Sequence, residues 1–163
     1  MSQTVYNLDP TPCLAGQVVE REQVVGMFTC SEAILPGNVV ELSGGQLRNP
    51  RTAGAVGAIV GVAIYRAALE PNVTGYQIGE YVPVLRKGKI WVQSVATLPS
   101  VPMTVVNISS SSTIATDRGK VTASAVSAGA GTEVYAPPGN AMTFVKGAAG
   151  VYGTLALCEV NLP

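Results

Sequence analysis

Short Val-rich runs alternate with Gly, Pro, Asn and Ser along the whole chain, which is the pattern of many brief strands separated by turns. Residues 16–20 read Gly-Gln-Val-Val-Glu, and residues 37–41 read Gly-Asn-Val-Val-Glu. With Leu14 and Leu35 in front, the same phrase occurs twice, 21 residues apart. Gly permits a tight turn and the β-branched pair then starts a strand, so one local solution is used again. The pattern predicts strands over Gln17–Glu20, Val24–Thr29, Val39–Leu42 and Gln46–Leu47, with Gly44-Gly45 as a primed hairpin turn.

The long apolar run Ala55–Tyr65 carries Gly57 and Gly61 and follows Gly54. Each such glycine weakens a helix by roughly 1 kcal/mol against Ala. One or two buried strands with bulges or close backbone approach fit better. Next come Tyr81–Leu85 and Lys89–Leu98, which Arg86-Lys87-Gly88 is expected to join as a short turn. Lys89–Leu98 alternates, with Ile90, Val92, Ala96 and Leu98 on one face and Lys89, Gln93 and Thr97 on the other. Further strands are expected at Met103–Ile108, Thr113–Thr116, Val121–Val126, Glu133–Tyr135, Met142–Val145 and Thr154–Val160. Turns are expected at Ser109–Ser112 and Asp117–Lys120. No segment carries a capped 3.6-residue apolar stripe; short helical stretches at Pro10–Gly16 or within Ala53–Leu69 are the alternative. The expected fold is all-β: a small antiparallel β-barrel or a jelly-roll-like sandwich.

Length makes this one domain, residues 13–163, preceded by an extended N-terminal arm, residues 1–12. Pro10 and Pro12 keep the arm out of a sheet, and Val5, Tyr6 and Leu8 are its apolar anchors. The anchors suit an arm that docks on a neighbouring subunit.

Charge narrows the function. Ten basic and ten acidic residues cancel, and charged residues are only 12% of the chain. No basic excess supports nucleic-acid binding. A monomer of this mass exposes roughly 7,600 Å², about one formal charge per ~380 Å². So neutral a surface favours association, with copies of itself or with a partner. Arg86, Lys87 and Lys89 form a small basic cluster, read as a solvated hairpin tip. Trp91, the single Trp, shares a strand face with Lys89 and Gln93; it is either an exposed anchor or buried under a neighbour. Arg86, Lys87 and Trp91 join Val5, Tyr6 and Leu8 as candidate interface residues.

The chain has no His, which removes Ser-His-Asp and Cys-His catalysis and imidazole metal sites. Glu20 and Glu22 flank Arg21 with no third ligand near, and read as a solvated strand face. No phosphate-binding glycine motif is present. Cys13, Cys30 and Cys158 are widely spaced and read as reduced, buried thiols. The N-terminus lacks secretory features, and 14 uncharged residues between Arg51 and Arg66 are too few for a membrane helix. Catalytic, cofactor and metal sites are therefore not expected.

Gly57-Ala-Ile-Val-Gly-Val-Ala-Ile-Tyr65, Gly79-Glu-Tyr-Val-Pro-Val84, Gly88-Lys-Ile-Trp-Val92, Gly131–Tyr135 and the Gly153–Val160 strand follow one another in a telling order. In this, over roughly residues 14–162, the chain resembles the structural cement, or capsid decoration, proteins of tailed bacteriophages. Pro99–Val126 stands out as added β material, and Pro137-Pro138 interrupts the late segment. The resemblance implies a small β module on the outside of a virion capsid, made in a bacterial host's cytoplasm. It would bind the major capsid protein, bridge neighbouring capsomers and have no catalytic residues. Self-association as a homotrimer, or alternatively a dimer, is expected, without nucleic acid or membrane. The alternatives are a phage head-fibre or tail β-module, or a soluble carbohydrate-binding β-sandwich.

Overall fold

The computed structural model describes residues 14–19, 24–50, 59–66, 75–94, 107–109, 118–122, 134–135, 142–150 and 153–162. Ten strands form, and no helix occurs among these residues. They are β1 (Val24–Thr29), β2 (Val39–Ser43), β3 (Gln46–Arg48), β4 (Ile59–Ala63), β5 (Tyr81–Gln93), β6 (Asn107–Ser109), β7 (Val121–Thr122), β8 (Val134–Tyr135), β9 (Met142–Gly150) and β10 (Gly153–Asn161). Seven strands make one antiparallel sheet in the order β3-β2-β4-β5-β10-β9, with β1 also on β5. β7-β6-β8 make a second, three-stranded sheet.

β5 organises the large sheet because both its edges are taken along its 13 residues. Its odd residues point their backbone groups one way. Ile64 N–H donates to Pro83 O, Trp91 exchanges two bonds with Gly16 and Gln17, and Gln93 N–H donates to Gly37 O. Its even residues point the other way. They meet β1 over the first half and β10 over the second, and Leu162 N–H donates to Arg86 O where the two neighbours meet. Pro83 has no N–H to return to Ile64 in this register. The Ile64 carbonyl accepts instead from the Tyr76 hydroxyl at 2.5 Å, so the missing ladder bond is replaced by a side chain.

Arg86-Lys87-Gly88 is not a turn, contrary to expectation: the strand runs straight through it. Gly88 takes φ 132, which bends the strand without reversing it. The bend shows in the packing. Leu85 and Ile90 would lie on opposite faces of a regular strand, yet both belong to one core cluster. A single Gly after two basic residues reads the same for a turn and for a bend; β1 and β10, which meet opposite Lys87 and keep the strand paired on either side, decide.

The sheet is buried on both faces around β2 and β4. Val39, Ile59, Val62 and Leu85 pack in one cluster with Ile90, Val92 and the β10 residues Ala156, Cys158 and Val160. Val40, Ala63, Val82 and Val84 pack in another with Cys30, Ile34, Leu47 and Tyr76. That is why β4 reads as an unbroken apolar run. A bulge shifts the β2/β4 register at Val40/Glu41, so Ile59 and Val62, three apart, reach the same face. The bulged buried strand predicted for this run is what forms. On the outer side of the second half, Trp91, Leu155 and Leu157 make a third cluster with Ala15 and Val145.

The architecture is all-β, as the turn spacing predicted, and the seven-stranded sheet does not close into a barrel. It curls until β1 and β3 touch at one bridge, Cys30 to Leu47, where Ser31 N–H donates to Leu47 O at 2.8 Å. The second sheet is tied to the first: Val121 lies in the main core and bridges Ser94, and Val39 N–H donates to Gly119 O. β9 is longer than the expected Met142–Val145, since Lys146–Gly150 also pairs with β10. Gly44 and Gly45 both take positive φ, 58 and 82, as a primed hairpin requires. The expected strand Thr113–Thr116, and residues 95–98, 103–106 and 123–126, lie outside the described residues, as does the arm, residues 1–12.

The repeated Leu-x-Gly phrase forms two equivalent turns. Gln17 N–H donates to Leu14 O and Asn38 N–H to Leu35 O, with Gly16 at φ 78 and Gly37 at φ 79 in the third position. The turns pack against each other: a Cβ on Gly37 would lie 2.9 Å from Gly16 N, and one on Gly16 2.6 Å from Tyr65 N. Together they fill the gap between β4 and the second half of β5. Gly37 N–H donates to Ala63 O, Tyr65 N–H to Gly16 O, and Gly16 N–H to Trp91 O. Gly16→Ala and Gly37→Ala should each destabilise the fold by about 2–4 kcal/mol, from a forbidden φ combined with a backbone collision. Urea unfolding of the variants checks this, with Gly44→Ala, whose Cβ meets nothing within 4 Å, as the milder control.

Candidate functional site

The chemistry available at the surface follows from where the sheet places its few charges. Glu41 on β2 is fully buried, and its Oε1 accepts from Arg48 Nε on the paired β3 residue at 2.5 Å. A neighbouring network is amide-based. Asn38 Nδ2 donates to Asn49 Oδ1 and to Arg118 O, and Asn49 donates its N–H and Nδ2 to Glu32 Oε1. These groups fix the β2–β3 hairpin and the Arg118-Gly119 turn. Among the described residues no group of three or more Cys, Asp or Glu comes together. Cys30 and Cys158 are free thiols in the core. Burial pushes the Cys158 thiol up to about 12 and raises Cys30, whose Sγ–H donates to Gln77 O, so both stay protonated at neutral pH.

The candidate interface residues do not gather at one place. Arg86 and Lys87 lie at the middle of β5, where β1 ends opposite Lys87 and β10 reaches the same residue. Lys87 is exposed, and Arg86 is half-buried with its Nε unpaired among the described residues. This is a mid-strand position, not the solvated hairpin tip expected, because the strand is continuous there. Trp91 is 5% exposed and packs beside Leu157, its cross-strand partner on β10, and Leu155 of its own chain. Val5, Tyr6 and Leu8, like Glu20 and Glu22, lie outside the described residues.

What sequence reasoning missed is the outer face of β1. Val25 is 41% and Met27 55% exposed, beside Tyr81 and Ile78, which are more exposed still. Thr29 pairs with Tyr81 and Met27 with Pro83, so the side chains of Met27 and Tyr81 stand on one face as diagonal neighbours. In the sequence Val-Val-Gly-Met-Phe-Thr looks like core; only the pairing shows which alternate residues face out. Singly exposed apolar residues are ordinary, whereas an apolar strip along a strand is a contact surface.

A neutral all-β scaffold with an apolar surface strip defines a class: a structural module that works by contact. The particular family follows from comparison. Residues 1–161 match the family described as "Structural cement protein (E217 gp24/Pam3 gp6)", and the chain belongs to that family. Among solved structures it is similar to a chain of "The capsid of Myoviridae Phage XM1", with 17% identity, 98% of each chain covered and a TM-score of 0.68. At that identity the likeness is one of fold. No curated protein matches the sequence. The family is one of structural phage proteins, and the role of this chain is a structural one.

The tryptophan placement has a direct check. Trp91 emission should be blue-shifted and resist iodide in the folded protein, and become accessible on unfolding. A red-shifted, readily quenched native emission would contradict the packing of Trp91 against Leu155 and Leu157.

Proposed function

We propose that the protein binds the outer face of an assembled phage capsid and bridges neighbouring capsomers, adding its binding free energy to the cost of separating them. The observation that carries this reading is the family match, which runs over nearly the whole chain. The low charge supports it: a surface with ten acidic and ten basic residues in all suits apolar and hydrogen-bonded contact. The protein acts as a homo-oligomer, a trimer or a dimer, since closed symmetry lets each copy cover the same neutral patch. It resides on the virion exterior after synthesis in the host cytoplasm.

The test is reconstitution. Capsids lacking the protein should regain resistance to heat when it is added, and a reconstruction should place it across capsomer boundaries. Because screening acts mainly on exposed charges, retention on the shell should change little between low and high salt. Release at moderate salt from an intact shell would mean that charge holds it.

The arm contributes to the attachment in this reading. Val5, Tyr6 and Leu8 gain roughly 1.5–3 kcal/mol each only when another chain buries them. Deleting Met1–Pro12 should leave the thermal transition of the β domain in place and weaken retention on capsids. Loss of the transition would make the segment part of its own domain's core.

A further inference from the structure

Among the described residues no strand pairs with the outer edge of β1. Gly26 and Phe28 oppose Val84 and Val82, the β5 residues whose backbone groups face β1, and Cys30 N–H donates to Glu80 O on the same side. Val25, Met27 and Thr29 therefore direct their N–H and C=O groups outward. Only further along, at Ser31, does β3 meet this edge. Among the described residues β1 pairs with β5 alone. Natural edges are protected by Lys, Pro, inward charges or bulges. Val24–Thr29 has no Lys, Pro or charge; its register shift lies at the Val24/Val25 end and leaves Val25–Thr29 regularly paired, and Val25 and Met27 face solvent.

We infer that β1 pairs edge to edge with β1 of a second copy, antiparallel about a two-fold axis, joining the two sheets through Val25 and Met27. Charge selects the second copy as occupant. The start of β1 lies beside Arg86 and Lys87, which with the preceding Glu20-Arg21-Glu22 leave a net positive charge of one, and its end lies beside the exposed Glu80. Antiparallel self-pairing lays the basic end of one copy along the acidic end of the other; parallel pairing would set like charges together. Gly26 opposes Gly26 at the centre, where the Phe28 ring of each copy fills the space of the missing side chain, and Val25 of one copy lies opposite Met27 of the other. The inference gives a surface to the self-association in the proposed function, rests on that part of it, and selects the dimer over the trimer.

Sedimentation and amide exchange on the purified full chain, without capsids, test it. The wild type should sediment as a dimer at high concentration. Exchange of the Val25 and Met27 amides should slow by at least about tenfold between dilute and concentrated samples, since only a second chain can cover them. Met27→Lys should sediment as a monomer with unchanged circular dichroism. Concentration-independent exchange at both amides, or a wild type that is a monomer or a trimer, overturns the pairing. Should Met27→Lys fail to fold, the wild-type exchange decides alone. A dimer whose two amides stay unprotected overturns this edge and leaves self-association standing. Shell binding is measured separately and stands or falls on its own.

Discussion

Backbone pairing along β5 is the interaction on which the rest depends. One strand of 13 residues carries β1 and β10 on one edge, and β4 and the Gly16 turn on the other. A buried backbone must pair every donor and acceptor or lose the cost of desolvating them. Each irregularity of β5 therefore has a matching device nearby. Pro83 removes a donor, and Tyr76 supplies one from outside the ladder. Gly88 bends the strand, and β1 hands over to β10 at that point. Where β4 leaves β5, the paired glycine turns take the vacated edge. The two core clusters and the outer Trp91 cluster are consequences of this wiring, because the bend decides which faces the side chains of β5 meet.

For the proposed cement role this arrangement has a use. A part that holds neighbouring subunits has to transmit load without opening, and a central strand paired on both edges resists local opening more than a frayed edge does. Contact is left to what the core does not need: the edge and outer face of β1 among the described residues, and few charges anywhere. Among the described residues the buried Glu41 pairs with Arg48 and faces inward to the β2–β3 hairpin. Buried pairs of this sort fix geometry more than they add stability.

Much of the fold was legible because its signals are local. The Gly44-Gly45 hairpin, the bulged apolar strand at Ile59–Ala63 and the twice-used Leu-x-Gly turn each depend on residues within a few positions of one another. The errors fell where a local signal has two outcomes. Arg86-Lys87-Gly88 suits a turn and a bend equally, and two distant strands decide between them. Lys146–Gly150 has small residues and no apolar alternation, yet it is a strand because β10 pairs with it. Trp91 sits on a face that alternation marks as polar; the β10 residues Leu155 and Leu157, more than 60 positions later, make it core.

The sequence by itself determined the all-β class, the Gly44-Gly45 and Leu-x-Gly turns, the charge poverty and, through the order of its Gly-led strands, the likeness to cement proteins. Turn chemistry and period-two patterning are set by short-range sterics, and composition needs no coordinates at all. Tertiary structure alone decided which strand became the spine, that the sheet curls until Cys30 meets Leu47 without closing, and that Met27 faces out while Trp91 faces in. These depend on hydrogen bonds and contacts between residues far apart in the chain. A strand's pattern states that it has two faces and two edges, and only its neighbours determine which of them remain open.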